Sequence, residues 1–204
     1  MSPTLSWALV ALGLGVVVAR RRSHAILLVT LQSLLLAIGA FTLVEDRSTE
    51  FLLAAVALLV KAVALGAALG WTMLRTREGR PIEERIVPIA RFVIAVVLAL
   101  GVVALVPSFG LEEGVEHATV ALVVVGAAAV LLRRQTLFQA LGLIMAENGI
   151  AIAAASVKGG VPIVIELGFV FDVIVIVAVA VAFHERIYGE FGTGDTEKLR
   201  GLRD

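Results

Sequence analysis

The chain has 204 residues, of which 60% are hydrophobic, with a formal net charge of +0 and no cysteine. Soluble domains are about 45–50% apolar, so this excess, gathered in long runs, predicts an all-α integral membrane protein. The balanced charge gives no argument for binding nucleic acid. The missing cysteine excludes disulfides, thiol catalysis and cysteine-ligated iron–sulfur clusters within this chain.

Seven apolar runs follow one another, each close to the about 20 residues that cross the hydrocarbon core as a helix. The predicted spans are Leu5–Ala19, Ala25–Val44, Phe51–Leu74, Ile86–Val106, Val115–Leu132, Leu137–Val157 and Ile163–Phe183. The arginines follow the first run rather than precede it, so we predict a retained span and not a signal peptide. The spans divide the chain into a four-helix region, 1–112, and a three-helix region with a short cytoplasmic tail, 113–204.

The charges between the spans predict the orientation. One side is rich in bases, at Arg20, Arg21, Arg22, Arg75, Arg77, Arg80, Arg85, Arg91, Arg133, Arg134, Arg186, Lys198, Arg200 and Arg203. The other side has only Arg47 and Lys158 among the acids Glu45, Asp46, Glu50, Glu112, Glu113 and Glu116. The positive-inside rule then predicts an outer N-terminus and a cytoplasmic C-terminus, in the inner (cytoplasmic) membrane of the cell.

Ionisable residues interrupt three of these runs near their middle. Lys61, Glu147 and Asp172 each lie ten residues into a span, about 15 Å deep at the helical rise, so they should share one level. Glu166 is shallower, and its spacing from Asp172 turns it toward a different neighbour. A charge at this depth costs at least about 2.5–3.5 kcal/mol on insertion scales, which favours a role in moving protons or small cations.

Each of these residues also has a structural interpretation. Lys61 could form a static ion pair with one of the acids, and Glu166 could belong to the lipid interface. Asn148 could orient Glu147 or bond a neighbouring helix, and His184 is expected at the interface. The three histidines are far apart and show no metal-ligand spacing.

Two further patterns concern helix packing. Gly66 and Gly70 have the GxxxG spacing that allows close approach of a partner helix. The segment ALVALGLGVVVARR (8–21) aligns with ALVVVGAAAVLLRR (121–134), and each is followed by two more predicted spans. With a two-residue gap, Lys61 aligns with Asp172. This predicts two parallel three-helix units joined by the fourth span.

The C-terminal part of the sequence resembles the K subunit of respiratory complex I. It shares three spans, the paired arginines Arg133–Arg134, an LGL segment at 141–143 and an acid in the middle of each of the next two helices. The whole chain more closely resembles hydrogenase-4 component E. This resemblance is carried by LVK (59–61), AENG (146–149), IELG (165–168), FD (171–172) and GTGDTEKLRGL (192–202).

The resemblance implies a membrane-arm subunit of a complex-I-like assembly, typically a group 4 NiFe hydrogenase such as formate hydrogenlyase. Glu147 and Asp172 would correspond to the two buried acids of the K subunit, although the K subunit has its first acid where this chain has Ile144. The expected partners are antiporter-like and other membrane-arm chains. The NiFe centre and the iron–sulfur clusters are expected in partner subunits, with no cofactor in this chain.

Three functions remain open on the sequence alone. The first is a subunit that conducts protons, or sodium ions, in a hydrogenase-type complex. The second is the equivalent subunit of a multi-subunit cation/proton antiporter, although such subunits are usually shorter. The third is a structural scaffold whose buried charges only hold helices together.

The predicted orientation can be tested directly. A reporter enzyme that is active only in the periplasm, fused after Asp204, should be silent because seven spans bring the C-terminus to the cytoplasm. Reporter activity at that fusion would overturn the orientation.

Overall fold

The computed structural model describes residues 1–42, 49–76 and 86–157, together with the single residues 177, 178, 181, 186 and 189. The described chain forms six helices: α1 (Pro3–Val18), α2 (Arg22–Thr42), α3 (Thr49–Thr76), α4 (Pro88–Leu105), α5 (Glu113–Leu132) and α6 (Thr136–Ser156). They coincide with the first six predicted spans to within a few residues. The seventh, Ile163–Phe183, lies outside the described ranges.

Four of these helices, α2, α4, α5 and α6, are long and apolar enough to cross a membrane. The 21 residues of α2 or α6 extend about 31 Å at the helical rise, close to the thickness of the hydrocarbon core. The helix α1 and the segment Val56–Trp71 of α3 are apolar but shorter. The all-helical architecture of a membrane protein, predicted from composition, is therefore confirmed at this level.

The helix ends follow local sequence signals. α1 begins with Ser2, whose hydroxyl accepts a hydrogen bond from the Leu5 N–H at 3.4 Å, followed by Pro3. At the start of α5, the Glu116 carboxylate turns back and accepts the N–H groups of Phe109 and Leu111 at 3.1 and 2.7 Å. The sequence places Glu116 among the loop charges, but in the structure it is buried and its carboxylate closes the connection between α4 and α5.

The contacts between helices define an inner group of four: α1, α2, α5 and α6. α1 packs on α2 and α5, and α6 packs on α5 and α2. α4 lies against α1 and α5, while α3 lies against α2. Three-residue connections, 19–21 and 133–135, make α1–α2 and α5–α6 antiparallel neighbours.

The α5–α6 interface brings two backbones into direct contact. A Cβ added to Gly126 would lie 2.5 Å from the Gly142 carbonyl oxygen and 2.6 Å from the Ala146 nitrogen. A Cβ on Gly149 would lie 3.0 Å from the Val123 nitrogen. Small residues allow this approach, and close van der Waals packing is what associates helices in lipid.

The predicted GxxxG pair in α3 is less informative. A Cβ on Gly66 would lie 2.9 Å from the Thr30 methyl group of α2, whereas one on Gly70 would meet nothing within 4 Å. Only the first glycine of the motif therefore supports close packing among the described residues.

α1 and α5 lie side by side in the same direction. Pro3 is next to Gly114 at their starts, and Leu122 approaches Gly13 in the middle. At their ends, the buried Arg133 side chain donates to the carbonyl oxygens of Val17, at 3.2 Å, and Ala19. Arg133 therefore caps the last carbonyl groups of α1, a role beyond the topology signal read from the sequence.

The two segments that align in the sequence, 8–21 and 121–134, belong mainly to the paired helices α1 and α5. The aligned segments predict equivalence at a separation of 113 residues, as for Ala8 and Ala121. Five hydrogen bonds between the halves join residues 113 to 116 positions apart, whereas Lys61 and Glu147 are 86 positions apart. Exchanging α1 with α5 and α2 with α6 leaves the pattern of contacts among these four helices and α4 unchanged. The third helix of the second unit lies outside the described residues, so the two three-helix units stay a prediction.

The close approach of α5 and α6 predicts that Gly126→Ala destabilises the protein. The added methyl group would overlap backbone atoms that cannot rotate away, so we expect a loss of about 1–3 kcal/mol, as for overpacked cores. Thermal unfolding in detergent measures this loss. Gly101→Ala in α4 is the matched control, because its Cβ would meet nothing within 4 Å. Equal melting temperatures for the two variants would contradict the interface.

Candidate functional site

Glu147 lies in the middle of α6, eleven residues from its first residue, Thr136. Its side chain points into the helix group and is 8% exposed. Ile144, one turn earlier, is fully buried. The polar position predicted for the centre of this helix is therefore an inward-facing one, with apolar side chains around it.

Lys61 of α3 reaches the same place. Its ammonium group donates a hydrogen bond to Glu147 Oε1, which makes a buried ion pair, and the residue is 3% exposed. Ala62 and Leu65 beside it on α3 are also buried. The sequence predicts that Lys61 and Glu147 share one depth, and the structure brings their side chains into contact.

The electrostatics of the pair follow from its surroundings. Moving one charged group out of water has an effective penalty of several kcal/mol, which an opposite charge at contact distance offsets. Removing one partner of such a pair typically costs about 3–5 kcal/mol, because the remaining charge stays buried without compensation. The structure is therefore expected to lose stability when either charge of the pair is removed alone.

Asn148, the next residue of α6, bonds α2. Its side-chain amide nitrogen donates to Gln32 Oε1 at 2.9 Å and to Ser33 Oγ at 3.0 Å. Gln32 in turn donates from its amide nitrogen to the Leu9 carbonyl oxygen of α1 at 2.8 Å. Of the two roles considered for Asn148, the structure shows the bond to a neighbouring helix.

Gln32 and Ser33 were missed by the sequence reasoning. Both are buried, and they stand as an adjacent polar pair in the apolar run AILLVTLQSLLLAIGAF of α2. Polar side chains inside membrane helices commonly bond across to another helix, so an uncharged amide at mid-span was an available signal.

Three of the predicted site residues, Asp172, Glu166 and His184, lie outside the described residues. The structure therefore joins Lys61, Glu147 and Asn148 and leaves these three as sequence predictions. Among the described residues there is no group of three or more histidine, aspartate or glutamate side chains that could hold a metal ion. What the described site shows is a buried contact between opposite charges.

One known protein is similar to part of the chain. The uncharacterized protein Rv0085 of Mycobacterium tuberculosis is 37% identical over 102 residues, which are 48% of this chain and 46% of the relative. The chain thus covers less than half the length of this curated relative. No family model matches the chain, and no solved structure matches it.

Proposed function

We propose that this chain is a membrane-arm subunit of a complex-I-like, group 4 NiFe-hydrogenase-type complex, and that its buried charges help to move protons across the membrane. The observation that carries the proposal is the buried Lys61–Glu147 pair, held within a group of apolar helices. The AENG and LVK segments that resemble hydrogenase-4 component E are the segments that hold these two residues.

The pair offers a simple mechanism for coupling charge movements. A proton that reaches Glu147 cancels its negative charge and removes the attraction that holds Lys61. Because the two groups interact strongly, they titrate as one coupled system, and a change of charge nearby shifts both. When a neighbouring subunit moves a charge near the pair, Glu147 would therefore release or take up a proton.

The remaining proton sites of this proposal are predicted from the sequence alone. Asp172 and Glu166 would be the next proton sites, with His184 as a supporting group at the helix end. Sodium ions are the alternative cargo. The complex would lie in the inner membrane, with seven spans of this chain, beside antiporter-like subunits. Partner chains would hold the NiFe centre and the iron–sulfur clusters and perform the redox chemistry.

A structural scaffold is the second candidate, and one observation favours it. Lys61 already has an opposite charge in contact, and this contact links α3 to α6. A pair of this kind can hold helices together without conducting ions. The two candidates differ in what happens when one charge or both charges are removed.

Neutralising the pair separates these candidates. If the pair conducts protons, the group that remains in a single variant can become neutral by proton exchange, so Glu147→Gln and Lys61→Met should leave the complex assembled. Proton translocation should then fall about tenfold or more, a barrier higher by about 1.4 kcal/mol. The double variant should stay inactive, because a proton site is still missing. Assembly is measured by native gels, and translocation by dye quenching in inverted membrane vesicles.

The scaffold gives the opposite pattern. Each single variant should lose assembled complex because one buried charge loses its contact with the other, and the double variant should recover it. Glu113→Gln is the matched control, since it makes the same chemical change at an exposed position. Full proton translocation by Glu147→Gln in an assembled complex would contradict the proton-conducting role.

The proposed assembly predicts that the chain does not work alone. After extraction from native membranes in a mild detergent, it should migrate with a large complex whose other chains include antiporter-like and hydrogenase subunits. Mass spectrometry of the purified complex identifies them. Antiporter chains without hydrogenase subunits would support the antiporter instead. A monodisperse single chain with its own transport activity would contradict the membrane-arm assignment.

A further inference from the structure

Two buried amides connect three helices next to the ion pair. Gln32 and Asn148 are both fully buried, and their hydrogen bonds run from α6 through α2 to the backbone of α1. The Leu9 end of this series of hydrogen bonds fixes which atom of each amide donates and which accepts. The Leu9 carbonyl oxygen can only accept, so the amide nitrogen of Gln32 must face it. Gln32 Oε1 then faces Asn148, which must present its own amide nitrogen.

Gly13 of α1 lies next to the side-chain amide of Gln32. Gly13 lies one turn after Leu9, and a Cβ there would lie 3.4 Å from the Gln32 amide nitrogen and 2.9 Å from Leu122. A Cβ at position 13 would therefore force Leu122 to shift, and it would touch the Gln32 amide at ordinary van der Waals distance. Helix α1 fixes Gln32, and Gln32 presents a directed acceptor to α6.

This acceptor is important because, among the described residues, the Asn148 side chain forms hydrogen bonds only through its amide nitrogen. Its Oδ1 atom is buried and accepts no hydrogen bond from the described residues, so Gln32 and Ser33 define its orientation. Glu147 is the preceding residue on the same helix, and its partner Lys61 stands on α3, which packs on α2. The α2–α6 bond therefore sets the distance across which Lys61 must reach Glu147.

We propose that Gln32 is a positioning residue, which fixes the rotation and depth of α6 through Asn148 and thereby aligns Glu147 with Lys61. This inference rests on the proposed function, in that the aligned carboxylate is the one that exchanges protons. Gln32 itself carries no proton. It acts by holding the amide of Asn148, and the loss of that bond lets Glu147 move relative to the lysine.

The test compares two glutamine variants in the assembled complex. Gln32→Leu removes the directed acceptor with little change in volume. Gln139→Leu is the matched control, because it removes another glutamine of the same group whose amide donates to the Arg133 carbonyl oxygen at 3.1 Å, two turns from Glu147. The signal is the infrared band of the Glu147 carboxyl group, identified by its absence in Glu147→Gln. Proton translocation is measured on the same samples.

We expect Gln32→Leu to shift the Glu147 band and to lower translocation several-fold, with the amount of assembled complex unchanged. Ser33→Ala removes the other acceptor of Asn148 and should shift the band in the same direction by less; it serves in place of Gln32→Leu if that variant does not assemble. An unmoved band in both variants overturns the positioning role. An equal shift in Gln139→Leu also overturns it, because the effect would then be general loosening.

The outcome for the proposed function is read separately. If Glu147→Gln translocates protons fully, the proton-conducting role fails, whatever the band does in Gln32→Leu. If Glu147→Gln is inactive and Gln32→Leu leaves both the band and translocation unchanged, only the positioning role fails.

Discussion

Lys61 and Glu147 bring opposite charges together inside a group of apolar helices, and the packing around them must keep the two in contact. Hydrocarbon supplies no water to solvate a separated charge, so the folded chain has to supply the partner itself. That requirement links α3 to α6 across α2. It also makes the position of α2 as important to the pair as the two charged residues are.

The polar side chains beside the pair and at the helix ends bond neighbouring helices through defined donors. Asn148 donates to α2, Gln32 donates to α1, and the Arg133 guanidinium at the helix ends donates to α1 carbonyl groups. Each of these bonds joins two helices that also pack through small or aliphatic side chains. In a membrane, such bonds add modest energy but fix rotation and depth, which van der Waals packing of similar apolar surfaces leaves weakly defined.

Backbone contact between α5 and α6 provides the rigid part of the structure. Gly126 and Gly142 meet with no side chain between them, so α6 cannot rotate without a clash. Helix α6 therefore presents Glu147 and Asn148 on a fixed face. The proposed proton site would need this kind of support for a charge change nearby to alter its protonation and not merely move its side chain. The parallel placement of α1 with α5 and of α2 with α6 gives these two helix pairs similar frameworks.

The sequence by itself determined the all-helical membrane architecture and the positions of the six described helices, because the length and apolar content of a membrane helix are local properties. It also identified Lys61, Glu147 and Asn148 as polar interruptions of those helices, and the helical rise predicts a common depth for Lys61 and Glu147. Only the tertiary structure decided which acid Lys61 meets, that Gln32 and Ser33 bind Asn148, and that the close glycine contact lies at Gly126 and Gly142 while Gly70 meets nothing. These depend on which helix faces which, and similar apolar runs carry little information about rotation and neighbours.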